Sequence, residues 1–174
     1  MAKHLAWIAV LATLGVCIQA QAFDFPKRKS GLWEIETSSG AHPGAAQKAQ
    51  MCIDQKTDDA LNQMGTGMSE DMCSKSNIRR EGGAIVTDSV CKFGTTTATT
   101  HSVVTGQFDS AYKVETRSTY DPPMAGMKEG SAVIHARWVG PCKPDQKPGD
   151  IIMSNGVKIN VRDLQKVQTL APKQ

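Results

Sequence analysis

No run of Lys and Arg long enough to follow a phosphate backbone occurs in these 174 residues, where 20 basic and 17 acidic side chains are interspersed. Neutralising phosphates takes several aligned cations, so the composition argues against nucleic acid as the main partner. The motifs of familiar chemistry are missing too. There is no HExxH zinc helix, no EF-hand loop, no GxSxG nucleophile elbow and no P-loop. No two cysteines form a CxxC pair, which weakens zinc and thioredoxin-like redox readings. No internal repeat and no long linker divides the chain.

What is present begins with the N-terminus. Lys3 and His4 precede an apolar run from Leu5 to Ile18, and Ala20-Gln21-Ala22 offers the small residues a signal peptidase accepts. The run is shorter than the about 20 residues a membrane helix needs. Cys17 follows Val16, where lipid attachment wants a small residue. Residues 1–22 are therefore expected to be a cleaved signal peptide and residues 23–174 a single periplasmic domain with no stable membrane span. A chain of that size buries about 68–70% of its unfolded surface, so no cofactor is expected. Cys52, Cys73, Cys91 and Cys142 remain, an even number in an oxidising compartment, and two disulfides follow.

In Ser30–Ser39, Trp33, Ile35 and Thr37 alternate with Glu34 and Glu36, as in a strand with one face buried. Ala41–Gln47 reads as a loop. Asp54–Met64 reads as a helix, its acids near the positive end of the dipole and Gly65 and Gly67 as its stop. From Cys73 onward, β-forming runs are separated by turns at Glu81-Gly82-Gly83, at Asp109-Ser110 and at a longer tip, Asp121–Gly126. A short helix is expected near Val161–Gln168. Tyr112, Val114 and Tyr120 share one parity, as do Ile134, Ala136 and Trp138, while Lys113, Glu115, Arg117, His135 and Arg137 take the other. The expected fold is mainly β (α+β): a curved antiparallel meander sheet or partly open barrel, packed on one face, with one or two short helices.

Cys73 lies nine residues before Gly82 and Cys91 nine after it, so a regular hairpin sets them opposite each other. That pairs Cys73 with Cys91 and leaves Cys52 for Cys142, one of three connectivities that four cysteines allow. The proline-rich stretch Trp138–Asp150 then reads as a corner pinned by Cys142. Prolines remove the backbone donors a phosphate cradle would need.

Gly31-Leu32-Trp33-Glu34, Cys52 ahead of a short helix, Thr105–Tyr112, Ala136–Cys142 and Lys147–Asp150 occur in that order behind a leader. Together they resemble the bacterial "domain of unknown function 3617" family of small exported proteins, over about Pro26 to Leu164. The resemblance implies a periplasmic, disulfide-bearing fold. It brings no activity and no catalytic residues.

Three candidate chemistries remain. The histidines His42, His101 and His135 lack a recognisable nucleophile, and a polar site around His101, His135 and Arg137 is the enzymatic alternative. Met64, Met68 and Met72 are spaced by four, and thioethers suit Cu(I), although methionine is more often a filler of irregular cores. The third is the apolar sheet face, with Trp33, Tyr112, Tyr120 and Trp138 as its binding residues. The function expected is a non-enzymatic domain that binds a hydrophobic small molecule or an envelope protein partner.

Overall fold

A computed structural model describes residues 23–40 and 42–170; the expected leader lies outside the described residues. Among these, nine strands form one open antiparallel sheet. They are β1 (Gly31–Ser39), β2 (His42–Ile53), β3 (Cys73–Glu81), β4 (Ala84–Phe93), β5 (Thr96–Gln107), β6 (Ala111–Met124), β7 (Met127–Gly140), β8 (Asp150–Met153) and β9 (Lys158–Asn160). Helix α1 (Gln55–Met72) links β2 to β3, and α2 (Val161–Leu170) follows β9. Across the sheet the order is β3-β4-β5-β6-β7-β1-β2-β8-β9. The meander from β3 to β7 is thus extended by β1, which pairs with β7, and closed off by β2, β8 and β9.

The registers put Trp33 beside Trp138 and Met51, Ile35 beside Ala136 and Ala49, and Tyr112 beside Ala136. These residues share the apolar face, as the period-two pattern requires. Trp33, Ile53 and Ala136 are its buried centre, and Leu61 of α1 packs on them with Ile35, Met51, Tyr112 and Trp138. The segment from Phe23 to Ser30 straps the same face. Arg28 donates from its backbone N–H and its Nε to Asp58, at 2.9 and 2.6 Å, and from Nη1 to the Tyr112 hydroxyl at 3.3 Å. Trp33 Nε1 donates to the Lys29 carbonyl and Trp138 Nε1 to that of Ser30, at 2.8 and 3.1 Å. Gly31 makes the approach possible. Its φ is +132°, and a Cβ there would sit 2.6 Å from Trp138 Nε1.

Helix α1 is longer than the sequence pattern suggests. Asp54 caps it through a reciprocal capping box with Thr57, matching the expected start. Gly65 and Gly67 do not stop it. Each costs about 1 kcal/mol against alanine, and the continuing turns outweigh that. Asp58, one of the acids near the helix start, is buried against Arg28. Two expected loops also shrink. Most of Ala41–Gln47 is in β2 from His42 onward, because pairing with β1 (Thr37 with Gln47, Ser39 with His42, across a bulge) satisfies the backbone despite Pro43 and Gly44. Ala41 lies outside the described residues. The tip Asp121–Gly126 narrows to a turn at Ala125-Gly126, since Met124 pairs with Met127. The second helix runs to Leu170, two residues past the expected end.

The disulfides join Cys73 to Cys91 and Cys52 to Cys142. The proline-rich corner ends on Asp150, whose carboxylate accepts from the Lys147 backbone N–H, from Asn160 Nδ2 and from Lys158 Nζ, all at 2.8 Å. Burial pushes that carboxyl up, but these donors outweigh it and hold its pKa at about 2. An unfolded Asp titrates near 3.9, so the group contributes stability above that pH and loses it as pH falls through about 2. Acid unfolding of Asp150→Asn should therefore show a shallower loss of stability between about pH 4 and pH 2 than the parent does, by on the order of 2 kcal/mol. Equal slopes would show that the carboxylate is not held as described.

Candidate functional site

The sheet's opposite face is polar. Register places Lys113 across from His135, His135 across from Glu36, and Glu36 across from Lys48. One step along, Ala111, Arg137, Glu34, Gln50 and Ile152 form the neighbouring row. A trough of about 820 Å³ is lined by both rows, with Thr105, Gly106 and Ser154 at its ends. The row between them, including Ile35, Ala136 and Tyr112, sends its side chains to the core on the far side, so its backbone is the trough floor. Gly106 keeps that floor low. At φ +114° it lies so close to β6 that a Cβ would be 2.8 Å from Tyr112 Cα.

Three ion pairs edge the trough: Arg137 with Glu34 at 2.7 Å, Lys113 with Glu115 at 2.9 Å and Lys48 with Glu36 at 3.7 Å. The Lys113 hydrogen bond and charge, with Arg117 and His135 adding to them, hold the Glu115 carboxyl below its usual range. Each side chain of these pairs is between 39% and 70% exposed. Exposed pairs contribute only about 0–1 kcal/mol each, so a ligand can displace them cheaply.

A second trough crosses β3 to β7 at their other ends, past Asp88, His101 and Arg117. Two of its charged groups, Asp88 and His101, are already engaged with each other. Asp88 takes His101 Nδ1 at 2.6 Å and Arg79 Nη1, and these bonds, led by His101, hold its carboxyl low.

The sequence-predicted residues divide between the two faces. Trp33 is fully buried, Tyr112 packs between Trp33 and Phe108 at 5.6 and 5.0 Å, and Lys29 sits 3.7 Å above Trp138. Tyr120 covers Gly130, where a Cβ would lie 2.8 Å from its hydroxyl. His101, His135 and Arg137 share the polar face but not one place. His101 pairs with Arg117, which pairs with Ser131, so His135 stands two strands and four residues away, roughly 15 Å. Met64, Met68 and Met72 fall on one continuous helix, with Met68 the most exposed. Glu34, Glu36, Lys48, Gln50 and Lys113 were not singled out from the sequence as site residues. Their alternation with core residues was visible, but which strands lie side by side was not.

A family model described as "Protein of unknown function (DUF3617)" matches residues 28–142. The chain belongs to this family. The DUF3617 match runs from Arg28 to Cys142, and so takes in α1, the strands β1 to β7 and both disulfides. Five of the six strands that line the trough lie inside it, and β8 lies beyond. No curated protein and no solved structure matches the chain.

Proposed function

We propose that this DUF3617 protein is a non-enzymatic binding domain of the periplasm, and that its ligand occupies the trough on the polar face of the sheet. One observation carries the proposal: an open volume of about 820 Å³ spans six strands beside weakly held charges, on the face opposite α1 and the N-terminal strap. Pockets of this size accommodate small ligands or a short segment of a partner. The aromatic side chains of the other face already have partners within the chain, which favours the polar face as the place of contact. A periplasmic location is supported by the two disulfides and by the leader pattern of residues 1–22.

Native mass spectrometry of protein recovered from its own compartment tests this. Wild type should carry an adduct, and Ala111→Trp, which fills the trough from an exposed position, should lose it while keeping the disulfide-bonded fold. A bare wild-type mass, or an adduct retained equally by the variant, would count against the trough.

A further inference from the structure

The order of charge along the trough is specific enough to name a ligand chemistry. From β6 through β7 it is basic, with Lys113, His135 and Arg137. On the next strand, β1, it is acidic, with Glu34 and Glu36, and on β2 beyond it Lys48 stands across from Glu36 at 3.7 Å. The step from β7 to β1 is one strand spacing, about 4.8 Å. The geometry points to a zwitterionic group, its phosphate over β6–β7 and its ammonium over β1, as the moiety the trough holds. This rests on the trough being the binding site.

Three features combine in its favour. Lys113 and His135 are direct cross-strand partners, and Arg137 follows His135 on the same face two residues on, so three donors flank one point. Thr105, the β5 partner of Lys113, lines the trough beside them and adds a hydroxyl. The carboxylates then offer an ammonium two acceptors on adjacent same-face positions of β1. Without a ligand, the trough neutralises itself across the same boundary through the Arg137–Glu34 pair. A phosphate and an ammonium joined by two carbons span that boundary in the same sense. They replace the exposed and weakly held Arg137–Glu34, Lys113–Glu115 and Lys48–Glu36 pairs with charge-assisted contacts to each half, which are stronger than neutral hydrogen bonds. A lone anion satisfies the cations but leaves Glu34 without its arginine, and a lone ammonium does the reverse.

Isothermal titration of the disulfide-bonded protein with O-phosphoethanolamine, inorganic phosphate and ethanolamine tests the assignment. Phosphoethanolamine should bind at least about tenfold more tightly than either fragment. Lys113→Ala should weaken phosphate and phosphoethanolamine alike, whereas Glu36→Gln should weaken only phosphoethanolamine. Equal affinity for phosphate and phosphoethanolamine, or no effect of Glu36→Gln, would overturn it. Co-sedimentation with vesicles containing phosphatidylethanolamine, against pure phosphatidylcholine vesicles, separates the sources. Selective pelleting assigns the group to a lipid head, and binding of the soluble compound alone assigns it to a free metabolite. An adduct lost in Ala111→Trp together with no phosphoethanolamine binding would leave the trough standing and remove the zwitterion. No adduct and no titration signal would remove both.

Discussion

Replacing Cys52 and Cys142 together by alanine is expected to lower the unfolding free energy by about 4.5 kcal/mol. The bridge closes a separation of 90 residues, against 18 for Cys73–Cys91. In the chain-entropy account the cost of freeing the unfolded state grows with the logarithm of that length, and the short bridge is worth about 3 kcal/mol. Position reinforces the difference. Cys52 is fully buried at the end of β2, next to the cap of α1, and Cys142 begins the corner that returns the chain to β8. Gly149 donates its N–H to the Cys52 carbonyl at 2.7 Å, so the corner's exit is tied to the same residue. Urea unfolding of the two alanine pairs, Cys52/Cys142 and Cys73/Cys91, would measure both. A larger loss for Cys73/Cys91 would mean that local hairpin geometry, rather than loop closure, dominates.

The second large effect is expected at Arg28. Its guanidinium is the partner of Asp58, a carboxylate only 1% exposed, and the two join the N-terminal strap to the first turn of α1. Burial by itself would depress the arginine pKa, but Tyr112 and Asp58 more than compensate and raise it, so the guanidinium stays charged. Arg28→Ala leaves a buried carboxylate with the backbone N–H of residue 28 as its remaining observed donor, a loss of about 3–5 kcal/mol. Arg28→Met combined with Asp58→Leu removes both charges and should recover much of that loss, because a buried pair repays little more than its own desolvation. Comparing the two in urea distinguishes a stranded charge from lost packing. If the double replacement is no more stable than Arg28→Ala, lost packing is responsible.

How far the sequence carried can be seen at Cys73 and Cys91. Counting outward from Gly82 pairs them, yet the turn centres between Gly82 and Gly83, since Glu81 pairs with Ala84. A regular ladder from that turn would put Cys73 out of step with Cys91 by one residue. A bulge between Cys73 and Lys75 restores the match. The pair was legible because hairpins are local. The bulge was not, because Ser74 reads like any other strand residue. Helix α1 shows the reverse failure: its cap was readable from Asp54 and Thr57, but glycine propensity misplaced its end by eight residues. The burial of Asp58 was not legible, because its partner, Arg28, stands thirty residues earlier in a segment with no pattern of its own.

By itself the sequence determined the antiparallel meander, the split into an apolar and a polar face, the two disulfides and the start of each helix. These follow from period-two alternation, turn residues and short-range pairing, all carried by neighbours along the chain. Only the tertiary structure decided that β1 lies between β7 and β2, and this sets Glu34 and Glu36 one strand from His135 and Arg137. That contact joins residues about a hundred positions apart, and alternation says which face a side chain takes but never which strand will lie beside it.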